Sequence, residues 1–289
     1  MVLTYAFSER EYKQERERLN KPTSKQTTQK LHSLDIKTTK EFIFEKTTHV
    51  ISHKRNLPKS LQGLLAGKHV VTPAYLDALI DAATSSQDDP ENYTPSRLEQ
   101  DFDNWWPNAR EYVPPRGAEP IARPANLWAP DEGRSDVFSG LNFVFLDQGQ
   151  YDNLADVVSS GGGKALMYDL RYGETTVEEY LDFVHSVAGG KSSRARKDDR
   201  LSVITVRLNT FPADMEQWAL NFINGIERTQ NQRTILQSEF LDPIIMKDTS
   251  ALRRPPNEVV EVSSSIPTPS VPTLPQASMF SPTSKMSTL

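Results

Sequence analysis

The chain has 289 residues, room for about two small domains, and is 37% hydrophobic with twenty prolines, so real cores must alternate with long loops or tails. It has no cysteine, which excludes disulfides, thiolate zinc sites and cysteine nucleophiles, and its five histidines are scattered, so neither a metal nor a cofactor is expected. The net charge of −5 is unevenly spread: residues 1–80 carry about +6 and residues 81–140 about −7. The basic first part suits an anionic partner, a phosphopeptide or nucleic acid, although an ordinary solvated surface carries such charges too. The start, MVLTYAFSEREY, lacks a basic region followed by a long apolar run, and no apolar stretch approaches membrane-spanning length. The chain reads as soluble, without a membrane partner.

Residues 2–7 alternate weakly and read as a strand. Residues 9–33 are charged and polar and read as a poorly packed helix, a loop and a short helix near Lys30-Leu31. Asp35 to Thr38 and Thr48 to Ile51 are the next strands. Pro58 opens a helix at a position that tolerates proline, and Leu61, Leu64 and Leu65 share one of its faces. Gly67 ends it, and His69-Val70-Val71 is a strand. Thr72 is expected to cap a helix with Pro73 in its first turn and an apolar stripe of Tyr75, Leu76, Leu79 and Ile80. Strands alternating with helices imply a parallel sheet covered on both faces. The first domain is placed at 1–83.

Residues 84–136 are dense in proline with no sustained helical period, but Trp105, Trp106 and Trp128 argue against disorder. The segment reads as a linker that packs its aromatics on one or both domains. A second domain is placed at 137–248. Phe143 to Leu146 is a buried strand. A helix carrying Tyr151, Leu154, Val157 and Val158 ends at Gly161-Gly162-Gly163, and Lys164 to Tyr168 is a strand. Thr176 caps a helix with Tyr180, Leu181, Val184 and Val187 inward. Leu201 to Leu208 has the strongest β character. Trp218, Phe222 and Ile226 mark a further helix, Ile235-Leu236 a short strand, and Phe240 to Met246 the last helix. The run from Lys191 to Lys197 (KSSRARK) reads as a basic loop rather than a DNA-binding patch. Residues 249–289, rich in Pro, Ser and Thr, cannot offset their ordering entropy and read as a disordered tail, with Ser281-Pro282 a possible kinase site.

Both domains repeat one order of strands and helices, with an extra helix in the second. The first resembles a BRCT domain through "THVI", a lysine-bearing helix, "GKHVV" and an aromatic-bearing last helix. Further, HKRNLPKSLQGLLAGKHVVTPAYLDALI looks like the first BRCT of the nibrin family, FSGLNFVFLDQGQYDNLADVVSSGGGKALMYD like the start of its second, and RTILQSEFLDPII like its final strand and helix. The resemblance covers about residues 1–248. It implies an α/β fold of two BRCT domains, each a small four-stranded parallel sheet flanked by helices. The domains are expected to pack through the last helix of the first and a helix of the second, braced by the linker tryptophans. It also implies a nuclear, chromosome-associated, non-enzymatic scaffold that recognises phosphorylated proteins at DNA double-strand breaks, among them a phosphorylated histone tail. Such scaffolds act in homologous recombination, telomere maintenance and checkpoint signalling beside a repair nuclease and its coiled-coil ATPase. The family's FHA domain would directly precede Val2. Neither it nor the nuclease-binding tail is recognisable, so the chain reads as a partial or degenerate copy.

A BRCT phosphate pocket needs a hydroxyl and a backbone N–H after the first strand and a lysine from the second helix, because a directed and a charge-assisted hydrogen bond together hold phosphate. The resemblance assigns these roles to Ser8 and Lys59. Two residues depart from the pattern: Glu9 stands where glycine is common, and Leu57 replaces a frequent threonine. Lys54 and Arg55 could add positive field. The alternatives are a structural remnant without phosphopeptide affinity, and a DNA-binding module using the basic first domain. Gly161 to Lys164 is not a phosphate loop, because Val158 and Ala165 break that pattern and the run leads into a strand. Ser139 precedes a strand and is no nucleophile elbow. No arrangement of catalytic groups is identifiable from spacing, so no enzyme is expected.

Overall fold

The computed structural model describes residues 1–7, 11, 29–85, 93–117, 119, 121–189 and 201–256. Ser8, Glu9, the Lys191–Lys197 run, Ser281 and the rest of the tail from residue 257 lie outside them.

The first sheet is wholly parallel, in the order β2-β1-β3-β4. Its strands are β1 (Val2–Ala6), β2 (Lys37–Thr39), β3 (His49–Ser52) and β4 (His69–Val71). Successive side chains of a strand face opposite ways, and the sequence uses both faces. Leu3, Ile51 and Val71 join the core beneath α2 (Ala74–Ala83), which supplies Tyr75, Leu76 and Leu79. Ala6, Val50 and Val70 join the opposite core beneath α1 (Pro58–Leu65), which supplies Leu61, Leu64 and Leu65. Gly63 lets α1 lie close on the sheet: a Cβ there would sit 2.7 Å from Val50 Cγ2. Thr4 is the polar exception in β1. Its buried hydroxyl lies 2.8 Å from both Thr39 Oγ1 and Thr47 Oγ1.

Two expectations about helix α2 and strand β2 change. Thr72 accepts from Tyr75 N through its carbonyl at 3.0 Å, but the start of α2 has no side-chain cap. β2 begins at Lys37, because Asp35 turns the chain with φ 54°.

The segment after α2 is better built than a linker. Short helices α3 (Arg97–Gln100) and α4 (Phe102–Trp105) pair their starts with side-chain caps, Ser96 with Glu99 in a capping box and Asp101 on Asn104 N. Residues Leu98, Ala109 and Tyr112 extend the α2-side core.

The second sheet runs β6-β5-β7, again parallel, from β5 (Asn142–Phe145), β6 (Lys164–Met167) and β7 (Val203–Val206). The anticipated fourth strand at Ile235 is reduced to a single parallel bridge with Val206. Helices α5 (Gln148–Ser160), α6 (Val177–Val187), α7 (Glu216–Gln230) and α8 (Leu241–Met246) flank it. Val144, Leu146 and Val203 face a core shared with Tyr180, Val184, Phe222 and Ile226. Thr176 caps α6 as expected, with Glu179 closing a capping box. Folded structure continues past residue 248: Leu252 is buried, and Arg233 binds the carbonyls of Ala251 and Arg254.

The domains do not meet through α2. Helix α1 packs on α5 and α8, and one apolar core runs from Val50 and Leu64 through Val157, Phe143 and Phe240 to Ile244. The reason is side-chain economy. The stripe of α2 is consumed by its own sheet and residues 98–112, whereas α1 presents leucines to the sheet and to the neighbouring domain. Only one of the three linker tryptophans braces this junction. Trp128 is buried in it, whereas Trp105 and Trp106 are exposed.

Candidate functional site

In open parallel sheets, ligands gather beyond the carboxyl ends of the strands. At that edge of the first sheet Ala6 pairs with Ser52. The Ser52 hydroxyl lies 2.7 Å from Lys54 O and 3.2 Å from Ala6 O, and Lys54 N donates to it at 3.2 Å. Ser60 Oγ donates to Lys54 O at 3.1 Å. These bonds fix the turn that leads into α1. Phe7 stacks on His53 beside it, with ring centroids 5.3 Å apart.

Lys59 is the second residue of α1. The N-cap is Leu57, in extended geometry with φ −78° and ψ 149°, and no side chain caps this helix. Leucine has no oxygen to offer, so the first-turn N–H groups keep their attraction for an anion, and a lysine beside them adds a full charge. In the structure the ammonium is turned sideways. Its Nζ donates to Lys40 O at 2.5 Å and lies 3.5 Å from Glu41 Oε2. Lys54 reaches Glu11 at 3.4 Å. The Arg55 side chain is committed to the inter-domain segment. Its Nε donates to Pro114 O at 2.5 Å, and its guanidinium lies 4.1 Å above the Trp128 ring. Burial lowers its pKa there, partly opposed by the attraction of Glu119. The structure therefore places Lys59 beside Lys40 and Glu41; its partner of the sequence reading, Ser8, lies outside the described residues.

The second domain is built differently at the same edge. Asp147 caps α5, accepting from Gln150 N at 2.8 Å. Thr176 and Glu179 cap α6, where Glu178 occupies the second position. The Asp147 carboxylate caps one of these helix starts and the Thr176 hydroxyl the other, with Glu178 and Glu179 beside it, and a further anion would be repelled. The glycine run behaves as a helix-ending turn. Gly162 has φ 78°, a Cβ on Gly161 would lie 2.4 Å from Phe138 Cδ2, and Lys164 opens β6.

Sequence reasoning missed the ties that hold the inter-domain segment. Arg123 donates to both oxygens of Asp242, at 2.6 and 2.7 Å, and Lys247 lies 2.7 Å from Asp131. The hydrogen bonds and Lys247 hold the Asp131 carboxyl below its usual range. Arg134, almost fully buried, donates to Ala129 O and Leu127 O at 3.0 and 2.6 Å. These partners are up to 119 residues apart and carry no local signature. Among the described residues no group of three or more His, Cys, Asp or Glu could hold a metal ion. Nor is any helix among them long and apolar enough to cross a membrane.

Residues 132–255 match the family model described as the second BRCT domain on Nijmegen syndrome breakage protein. This segment is similar to a nibrin-type second BRCT domain. The nibrin match begins at Glu132, in the 3-10 turn that packs on α1, and ends past Leu252, so it takes in the ordered residues beyond 248. Among solved structures the chain is similar to the BRCT5-BRCT6 domains of S. pombe Brc1, at 13% identity and TM-score 0.44, covering 88% of this chain and 96% of that one. It is also similar to S. pombe Nbs1 in its complex with Ctp1, at 12% identity and TM-score 0.38, covering 87% of this chain and 58% of that one. A third is the S. pombe Nbs1 FHA/BRCT-repeat domain, at 15% identity and TM-score 0.34, covering 80% and 64%. The chain thus spans less than two thirds of either Nbs1 chain.

Proposed function

We propose that this chain is a nuclear, non-enzymatic repair adaptor whose first BRCT domain binds phosphorylated protein segments through Lys59 and Ser8. The observation that carries the reading is the start of α1: a helix N-terminus with no side-chain cap, at the carboxyl edge of a parallel sheet, bearing Lys59 at its second position. The nibrin-type second domain supports the repair setting. Its own helix starts are occupied by Asp147 and by Thr176 with Glu179, which leaves the first domain as the phosphate reader. By the same family resemblance its partners include the repair nuclease–ATPase complex, and its targets include phosphorylated chromatin at double-strand breaks. Peptide binding requires Lys59 to leave Lys40 O and Glu41, an exposed carboxylate, for the phosphate.

Fluorescence anisotropy with labelled phosphoserine peptides, a phosphorylated histone tail among them, tests this. A charge-assisted hydrogen bond contributes about 1.5–3 kcal/mol, so Lys59→Met should weaken binding on the order of ten- to a hundredfold. The unphosphorylated peptide should behave like the variant. Binding indifferent to both phosphate and Lys59 sinks the proposal. The existing bonds of Lys59 favour a second reading, a remnant in which that lysine only ties α1 to the turn after β2. It predicts no binding to any peptide by the folded chain. Binding of DNA with a steep salt dependence and no need for phosphoserine would instead identify a nucleic-acid module.

A further inference from the structure

The residues after α2 carry a surface that the phosphate pocket does not use. Tyr93, Phe102, Trp105 and Trp106 are 51%, 56%, 47% and 36% exposed. They lie within fourteen residues of one another on and around α3 and α4, two capped helices of which only Leu98 packs on the first-domain core. Phe102 and Trp106 lie together, with ring centroids 5.1 Å apart. Large aromatics left in water at one place mark an interaction surface more often than chance exposure does.

The chemistry around the rings selects the partner. Glu99, Asp101, Asp103 and Glu111 lie within the same stretch, against only Arg97 and Arg110. Arg97 shows what the surface accepts. Its guanidinium lies 5.0 Å from the Trp105 ring centroid, and its NH1 donates to Asp81 Oδ2 at 3.2 Å. Ring plus carboxylate is the environment that a guanidinium favours. The Phe102–Trp106 pair has acidic sequence neighbours of its own: Asp101, whose carboxylate accepts from Asn104, and the exposed Asp103. Two rival occupants fit less well. Bases of a single strand could stack on the tryptophans, but the carboxylates repel their phosphates. A second copy of this chain would bring the same acidic face against itself.

We infer that the Phe102–Trp106 face docks an arginine-bearing, basic segment of a partner protein, by cation–π contact with the rings and ion pairing with the neighbouring carboxylates. The surface is independent of Lys59 and of phosphate. It would give the chain two unlike contacts, one for an anionic segment and one for a cationic one.

The test is anisotropy of a fluorescein-labelled Gly-Arg repeat peptide against the full chain. Controls are the citrulline version of the peptide, a Gly-Glu repeat and a labelled single-stranded oligonucleotide. The variants are Trp106→Ala, Phe102→Ala/Trp106→Ala and Asp103→Asn, all at exposed positions, with circular dichroism to confirm folding. The expected result is saturable binding of the arginine peptide alone. Each lost ring should weaken it about two- to fivefold. Asp103→Asn should weaken it as well, and the Lys59→Met variant should bind unchanged. No binding of the arginine peptide, equal binding of the citrulline peptide or oligonucleotide, or binding unaffected by the double ring variant overturns the inference. Self-association by sedimentation velocity that the double ring variant abolishes also overturns it, by making a second copy the occupant.

Discussion

Acidification from pH 7 to pH 5 should destabilise the first domain through His49. This residue opens β3, and its ring is sandwiched between His69 at 4.9 Å and Tyr75 at 5.3 Å, both nearly parallel. Burial, then the neighbouring His69 and the chain's amino terminus, lower its pKa from 6.5 to about 4. Burial also lowers the pKa of His69, and Arg110 adds to the effect. A group whose folded pKa is depressed binds fewer protons when folded than when unfolded between the two values. Stability is therefore complete above pH 6.5 and lost as the pH falls towards 4. At about 1.4 kcal/mol per pH unit the full loss approaches ~3 kcal/mol, and the part lost between pH 7 and pH 5 is about 2 kcal/mol. Urea unfolding at the two pH values would measure it, with His49→Phe as the reference. That variant keeps a flat ring in the stack but cannot titrate. Carboxylates with lowered pKa, such as Asp131, titrate alike in both proteins and cancel. The variant should lose about 2 kcal/mol less than the wild type over this range. An identical pH slope in the two proteins would refute the argument that the stack excludes the imidazolium.

Two further outcomes follow from the packing. Leu64 is 1% exposed in the core that joins the domains, so Leu64→Ala should cost about 2–5 kcal/mol by chemical denaturation. It should also raise protease sensitivity in both domains together, because they share that core. Tyr180 is buried with its hydroxyl 2.7 Å from Thr205 Oγ1, so Tyr180→Phe should cost about 1–2 kcal/mol in thermal or urea unfolding by leaving that threonine unpartnered. The bond also competes with burial, which pushes the phenol above its usual range.

Much of this molecule is written locally. Pro58 with its leucines, Gly67, the Val70-Val71 pair and Thr176 with Glu179 each fix an element through short-range chemistry, and the structure forms those elements. Alternation at Val50-Ile51 and Val70-Val71 likewise assigns residues to two faces, since a parallel sheet covered on both sides needs apolar residues on each. The repeated order of strands and helices therefore announces the two-domain fold, and residues 132–255 match the expected family. What local chemistry cannot specify is which of several apolar helices meets the other domain. The sequence favours α2, with its long stripe, yet α1 makes the junction because the residues at 98–112 consume the stripe of α2 first. The same holds for charged side chains. A basic turn reads as one patch, but Lys54 pairs with Glu11, Lys59 with Glu41, and Arg55 lies on Trp128, distances in sequence of up to 73 residues. Propensity and periodicity act over one or two turns of chain. The choice of partner for a helix face or a long cationic side chain is made by whichever surfaces the fold brings within a few ångströms, and only the tertiary structure decides it.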